Sequence, residues 1–289
     1  MKKFLISFLV FLLTVTCVQY IVYRVFKQVL DRNSQFRITR YFRSPNHKYF
    51  VLGNSRAVNS IDEKFATEKL KVDILNLSFN GEPYKNVLSM LDDVNSKNTN
   101  STIFLEITCL NNDQFDNSYA YYIPNSPFIR RQFFGTIYSI PNLLRLNSEL
   151  FLRNLYYLNK SDNDWVNNTT ITSNFIEQIK LDSNFQVFPD QKAFSYKLDE
   201  LQKRCNKYGN HLIFFLAPYY PAYIGKVIDY NRTVNYMAQN QQRYKFVDLN
   251  KVKLANYMFA DRVHTNTKGA VLLTQYLLSV ANPTDKSSK

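Results

Sequence analysis

The chain has 289 residues, 45% of them hydrophobic and 20% charged, so it can bury a substantial core and is not a disordered protein. Its formal net charge of +13 permits attraction to phosphates, anionic glycans or acidic lipid headgroups. The sequence has no Cys/His finger, basic zipper or aromatic RNA-binding motif, so no nucleic-acid partner is expected. Three cysteines at positions 17, 109 and 205 form neither a disulfide framework nor a zinc-binding pattern, and no metal is expected.

An uncharged apolar segment from Phe4 to Tyr23 follows two lysines at the amino terminus. As a helix, a segment of about 20 residues spans about 30 Å, which is enough to cross a bilayer. No small-x-small cleavage site follows this segment, so an uncleaved membrane anchor over residues 1–26 is favoured over a signal peptide.

The residues after this segment are strongly basic, and they are predicted to form a partly helical stalk over residues 27–46 with its charges facing solvent or membrane. By the positive-inside rule, these charges favour a cytoplasmic location for the rest of the chain. The basic residues are Arg24, Lys27, Arg32, Arg37, Arg40 and Arg43.

From residue 47 onward, short apolar runs alternate with segments of helical periodicity. Near-continuous apolar strands separated by helices are typical of a mainly parallel sheet covered on both faces. We therefore predict an α/β domain over residues 47–283, a five-stranded, three-layer, flavodoxin-like sandwich, followed by a disordered tail at 284–289. The predicted strands are Tyr49–Leu52, Val72–Leu77, Thr102–Thr108, Leu212–Ala217 and Lys245–Leu249.

The alternation fails over about residues 113–189, which are rich in Tyr and Phe and include a helix-like run from Ile140 to Leu158. An insertion after the third strand would lie over the carboxyl edge of the sheet, where ligands bind in open α/β folds. Two interpretations remain open: a helical lid that packs its aromatic side chains inward, and a platform for sugar rings.

A Gly-Asn-Ser-Arg sequence at residues 53–56 follows the first predicted strand. A hydroxyl at this place lies where open α/β sheets carry their chemistry, although a serine in such a turn can also simply cap a helix. Far along the chain, an Asp-Arg-Val-His sequence at residues 261–264 precedes an amphipathic helix over residues 267–280. Ser55, His264 and Asp261 are the parts of a catalytic triad, with His264 as the base and Asp261 orienting the imidazole.

A tetrahedral intermediate on Ser55 also requires hydrogen-bond donors for its oxyanion. The backbone N–H of Ser55 is one candidate, and the turn at Gly81 offers a second because glycine allows close approach of the backbone. The side chain of Asn111 or Asn112, after the third strand, is a candidate for the third donor. Glu106, within that apolar strand, requires a partner such as an arginine or a polar network.

These residues resemble the SGNH (GDSL-like) hydrolase superfamily. Residues 53–56 are similar to its first block, Gly81 to its second, Asn112-Asp113 to its third and residues 261–264 to its Asp-x-x-His block. The resemblance covers roughly Tyr49 to Val280. Two departures occur: Asn54 stands where Asp is usual, and the third block lacks its glycine.

The Gly-x-Ser-Arg form behind one amino-terminal span is most similar to the membrane-anchored branch that includes DltD and the SGNH partners of polysaccharide O-acetylation systems. The resemblance implies a single-pass serine acyltransferase or esterase whose catalytic domain lies outside the cytoplasmic membrane. It further implies O-acyl groups, above all O-acetyl, of a cell-envelope polysaccharide as substrate, no cofactor, and an MBOAT-type membrane acyltransferase as partner. Transfer and hydrolysis both remain open. The alternative is a non-catalytic envelope protein that binds a glycan or that acyltransferase through the same cleft.

Overall fold

The computed structural model describes residues 1–33, 37–113, 126–128 and 167–281. Its centre is a five-stranded sheet in which every neighbouring pair is parallel, in the order β2-β1-β3-β4-β5. The predicted α/β class with a parallel five-stranded sheet is confirmed. The strands are β1 (Tyr49–Leu52), β2 (Ile74–Asn76), β3 (Thr102–Glu106), β4 (His211–Leu216) and β5 (Lys245–Asp248).

Helices precede, connect and follow these strands, and short 3₁₀ segments lie at Ile107–Asn111, Leu249–Lys251 and Asn256–Met258. The helices are α1 (Lys2–Asn33), α2 (Arg37–Arg43), α3 (Ser55–Ser60), α4 (Glu63–Glu68), α5 (Tyr84–Lys97), α6 (Ser173–Leu181), α7 (Gln191–Lys207), α8 (Pro221–Ile224), α9 (Tyr230–Gln239) and α10 (Thr267–Ala281).

The strand predictions agree with the structure to within two residues at every end. The largest correction at a carboxyl end concerns β3, which was expected to continue to Thr108 but ends at Glu106. The chain turns there into a 3₁₀ helix, because the carboxylate of Glu106 caps it by accepting the backbone N–H of Thr108. Glu106 therefore lies at the carboxyl edge of the sheet.

Apolar side chains are buried on both faces of the sheet. Along β1, Phe50 and Leu52 belong to one cluster, which also contains buried residues of α5 and α7. Tyr49 and Val51 belong to a second cluster, which contains residues of α3 and α10. Because fully burying one such side chain contributes about 1.5–3 kcal/mol, the period-two alternation of β1 is a strong constraint on its register.

The strand order places a topological switch point beside β1. The chain passes from β1 to β2 on one side and returns to β3 on the other. In open α/β sheets, the crevice at such a point is where ligands bind. Gly53 and Ser55, which directly follow β1, lie at this crevice.

One helix in the described part of the chain is long and apolar enough to cross a membrane. The segment Lys2–Val22 of α1 has a mean hydropathy of 2.3, and none of it is buried against the rest of the chain. This finding rests on length and composition.

The charges of residues 37–43 were expected to face solvent or membrane; Arg43 is exposed, but Arg37 and Arg40 require a correction. Residues 37–43 form α2, which packs beside the edge strand β2. Tyr41 is fully buried and donates its hydroxyl to Asp93 on α5 at 2.7 Å, Arg37 is 3% exposed, and Arg40 pairs with Glu63. The spacing of the charges predicted that this segment is exposed. The aromatic side chains between the charges, Tyr41 and Phe42, instead pack against the core of the domain.

Most of the aromatic insertion, including the run from Ile140 to Leu158, lies outside the described residues, as does the tail at 284–289. The described carboxyl-terminal part of the insertion, residues 167–189, contains α6. The choice between an inward-packed lid and a sugar platform therefore stays a prediction.

Substitution of Gly53 tests how closely the chain at the end of β1 approaches β3. The φ of Gly53 is +147°, and an added Cβ would lie 2.8 Å from Cβ of Glu106, so we expect Gly53→Ala to lower the unfolding free energy by about 1–3 kcal/mol. Gly225→Ala is the matched control, because nothing lies within 4 Å of the added Cβ there. Thermal unfolding of the detergent-solubilised chain measures both. Equal unfolding temperatures for the two variants would contradict the tight contact.

Candidate active site

The structure brings the three predicted triad residues together. Nε2 of His264 lies 2.9 Å from Oγ of Ser55, and Nδ1 of His264 lies 2.7 Å from Oδ2 of Asp261. This is the arrangement in which an imidazole accepts a serine proton on one nitrogen while a carboxylate orients it through the other. Residues far apart in the sequence thus form one continuous chain of hydrogen bonds.

Ser55 is positioned by the helix that it begins. Asn54 caps α3, since its side-chain oxygen accepts the backbone N–H of Arg56 at 3.0 Å. The amide nitrogen of Asn54 donates to Oγ1 of Thr108 at 2.9 Å, which joins the turn to the segment after β3. An ionised aspartate at this position could accept the capping N–H but could not donate to Thr108, whereas the amide of Asn54 does both.

The loop that carries His264 is held by its own aspartate. Oδ1 of Asp261 accepts the backbone N–H groups of Val263 at 2.8 Å and of His264 at 2.9 Å, which leaves Oδ2 directed at the imidazole. Arg262 points away and forms a two-pronged ion pair with Asp182, just after α6, at 2.9 and 3.0 Å. The Asp-x-x-His spacing therefore folds into a rigid turn.

Asn59 connects the serine helix to the histidine loop. Its side chain donates to the backbone carbonyl of Ser55 at 2.8 Å and accepts the N–H of Asn167 at 3.1 Å. Its backbone carbonyl accepts the hydroxyl of the fully buried Thr265 at 2.5 Å. Because Thr265 follows His264 directly, these bonds set the separation of Ser55 and His264.

Asp261 is ionised at neutral pH. Burial pushes its pKa upward, but the hydrogen bond and charge of His264 and the N–H groups of Val263 and His264 outweigh burial and lower the pKa below the usual range. An ionised carboxylate stabilises the imidazolium that forms when Ser55 is deprotonated.

The predicted oxyanion residues lie at the same edge of the sheet as Ser55. The chain after β2 follows the chain after β1, since Phe79 donates its N–H to the carbonyl of Gly53 at 3.2 Å. Gly81 lies two residues after Phe79 and adopts a φ of +71°, which favours glycine. The carbonyl of Asn112 accepts the N–H of Tyr84 at 2.8 Å, which holds the segments after β2 and β3 together. The donor roles of Gly81 and Asn112, and the choice between Asn111 and Asn112, stay predictions.

Glu106 has the partner that its burial demanded. Its side chain is fully buried, and Nε of Arg56 lies 3.5 Å from Oε1. Sequence reasoning did not identify Arg56, Thr108 or Asn59 as parts of the site. A signal for Arg56 was available, because Arg56 directly follows Ser55 and Glu106 requires a partner such as an arginine. The strand before Ser55, β1, lies beside β3, which ends at Glu106.

No group of three or more His, Cys, Asp or Glu residues with the geometry to hold a metal ion occurs in the described ranges. One cavity of about 340 Å³ lies between α4 and α10 and reaches Thr267, three positions after His264. Phe65 and Val271 form part of its wall.

Comparison of the chain with models of known protein families gives no match, and comparison with curated proteins gives none. The resemblance to SGNH hydrolases therefore rests on the quoted motifs and stays a prediction.

The side-chain bond from Asn59 to the carbonyl of Ser55 predicts a loss of serine reactivity when that side chain is removed. The backbone bond from Thr265 to Asn59 is retained in Asn59→Ala. A phosphonofluoridate probe reports it, because Oγ of Ser55 displaces fluoride from phosphorus while the serine proton leaves through His264. We expect Asn59→Ala to slow labelling of Ser55 by roughly tenfold or more, since a small misplacement of reacting groups has effects up to about 100-fold.

Asn98→Ala is the matched control for Asn59→Ala. Asn98 is also buried and also donates to the carbonyl four residues earlier, that of Val94 at 2.9 Å, but it lies at the end of α5. Equal labelling rates in the two variants would refute the role of the Asn59 side chain in placing Ser55.

The lowered pKa of Asp261 predicts how stability depends on pH. A carboxyl whose folded pKa lies below its unfolded value of about 3.9 stabilises the fold above that value, and the contribution disappears as the pH falls through the folded pKa. We expect wild type to unfold at a higher temperature than Asp261→Asn at pH 6, and the difference to shrink from about pH 4 downward. Differential scanning calorimetry from pH 3 to pH 7 measures it. A difference that is independent of pH would contradict the ionised state of Asp261.

Proposed function

We propose that the chain is a serine esterase or acyltransferase of the SGNH type. The observation that supports this most directly is the chain of hydrogen bonds from Ser55 through His264 to Asp261, with distances of 2.9 and 2.7 Å, at the carboxyl edge of a parallel sheet. The strand order 2-1-3-4-5 is that of flavodoxin-like folds, so we further propose the three-layer SGNH sandwich as its architecture.

More specifically, we infer that the protein is anchored in the cell membrane by α1 and acts on O-acyl groups, above all O-acetyl, of a cell-envelope polysaccharide. The apolar segment of α1 supports the anchor, and the net charge of +13 suits an anionic polymer or lipid surface. An extracytoplasmic site and an MBOAT-type acyltransferase partner follow from the resemblance alone. The basic residues after the span argue for the opposite orientation.

The proposed reaction has two halves. Oγ of Ser55 attacks the acyl carbonyl carbon while Nε2 of His264 accepts the serine proton, and Asp261 stabilises the imidazolium. The imidazolium then protonates the leaving alcohol, and the acyl group remains on Ser55 as an ester. A sugar hydroxyl or water, deprotonated by His264, attacks this ester and releases Ser55.

The oxyanion formed in each half requires donors close to Ser55. Its own backbone N–H lies at the start of α3, and the proposed partners are the N–H of Gly81 and the side-chain amide of Asn112. Whether sugar or water completes the reaction depends on how well the closed site excludes water. Both outcomes use the same protein groups.

Covalent acetylation of Ser55 tests the proposal. We expect the detergent-solubilised full chain, incubated with an activated acetyl ester and quenched in acid, to carry one acetyl group on the peptide that contains Ser55. Ser55→Ala is expected to lose on the order of 10³-fold or more of the ester turnover, because the nucleophile is removed.

Ser89→Ala is the control, since the Ser89 hydroxyl on α5 bonds the carbonyl of Lys85 and is not part of the triad. Undiminished turnover by Ser55→Ala would refute the acyl-enzyme mechanism. Full biological activity of Ser55→Ala would support the alternative, a non-catalytic envelope protein that binds a glycan or a membrane acyltransferase.

A further inference from the structure

We propose that Glu106 and Arg56 form a buried positioning pair that holds Ser55 in its reactive place. This inference rests on the proposed function, because it assigns the pair a role in the reactivity of Ser55. Neither side chain belongs to the triad, and neither contacts His264 in the bonds described above.

The carboxylate of Glu106 is held by three segments of the chain. Oε2 accepts the backbone N–H of Thr108 at 2.8 Å and its hydroxyl at 2.5 Å. Oε1 accepts the N–H of Ala217, just after β4, at 3.3 Å and lies 3.5 Å from Nε of Arg56. Since the side chain is fully buried, this carboxylate is a rigid point shared by the ends of β3 and β4.

The contacts of Glu106 reach the residues on both sides of Ser55. Before Ser55, Gly53 lies so close that an added Cβ would be 2.8 Å from Cβ of Glu106. The amide of Asn54 donates to Thr108 at 2.9 Å, and Thr108 in turn donates to Glu106. After Ser55, Arg56 faces the same carboxylate. The serine lies between two anchored neighbours, so its own side chain stays directed at His264.

The guanidinium of Arg56 makes two further contacts. Its Nη2 donates to the carbonyl of Ala217, and its central carbon lies 3.6 Å from the ring centroid of Tyr219. Arg56 is 6% exposed. A planar cation held by a carbonyl, a carboxylate and an aromatic face has a single orientation, which an ammonium on a flexible stem would lack.

A charged pair is not the most stabilising choice for this buried position. Burying a carboxylate and a guanidinium carries a desolvation penalty, and well-packed apolar side chains often stabilise such a position better. Burial indeed raises the pKa of Glu106, against the charge of Arg56 and the hydrogen bonds from Thr108 and Ala217, which lower it. What an apolar pair could not provide is the hydrogen-bonded link from Glu106 through Thr108 to Asn54 and the ion pair with Arg56.

The test measures how fast the phosphonofluoridate probe modifies Ser55 in the full chain, with the maximal rate separated from the probe concentration at half-maximal rate. A positioning role affects the maximal rate. We expect Glu106→Gln to lower it by roughly 10- to 100-fold, with the half-maximal concentration changed by about twofold or less. A merely structural role would lower the unfolding temperature and leave the maximal rate of the folded protein unchanged.

Asp93→Asn is the matched control. Asp93 is also fully buried, accepts the hydroxyl of Tyr41 at 2.7 Å and pairs with Lys97 at 2.6 Å, but it lies on α5 against α2. We expect this variant to be destabilised and to keep the wild-type maximal rate. An equal loss of rate in Asp93→Asn and Glu106→Gln would overturn the positioning role, as would an unchanged rate in Glu106→Gln.

A second variant keeps the proposal testable if Glu106→Gln does not fold. Thr108→Val preserves the shape of the side chain but removes the hydroxyl between Asn54 and Glu106, and we expect a severalfold lower maximal rate. Thr274→Val, which removes a fully buried hydroxyl bonded to Asp62 and Ala270, is its control and should keep the wild-type rate. Equal rates for both variants would overturn the inference. Failure of wild type to be modified at Ser55 would instead refute the proposed function itself.

Discussion

The close contact of Gly53 with Glu106, where β1 and β3 end side by side, is the constraint on which the candidate site depends. Only a residue without a Cβ allows this approach, since an added carbon would lie 2.8 Å from that of Glu106. The contact sets where β1 ends and therefore where α3 begins, with Ser55 as its first residue. The position of Ser55 is thus set by backbone packing as well as by its own hydrogen bonds.

The histidine loop is joined to this fixed point through α3. Thr265 bonds the carbonyl of Asn59, while the side chain of Asn59 bonds the carbonyl of Ser55. Asn59 also accepts the N–H of Asn167, in the described part of the insertion. This part of the insertion is therefore bonded directly to α3.

Parts of the fold were predictable because local sequence patterns and burial coincide. Short, continuous apolar runs between helical segments located all five strands to within two residues. The prediction that the charges of the basic stalk face solvent or membrane was wrong for Arg37, which is 3% exposed, because a count of charges does not show that Tyr41 on the same helix has a buried acceptor, Asp93, on α5. The packing of α2 depends on a partner that is distant in sequence, whereas β3 ends early because Glu106 bonds the nearby Thr108.

By itself, the sequence determined the parallel α/β class and the apolar amino-terminal segment, because both follow from local periodicity. Its motifs also selected Ser55, His264 and Asp261 as the candidate triad residues. It also showed that Glu106, on an apolar strand, required a polar partner. Only the tertiary structure decided that this partner is Arg56, and that Ser55 lies 2.9 Å from His264. The physical reason is that hydrogen bonds depend on separations of tenths of an ångström, which the packing of distant strands and helices sets and local sequence does not encode.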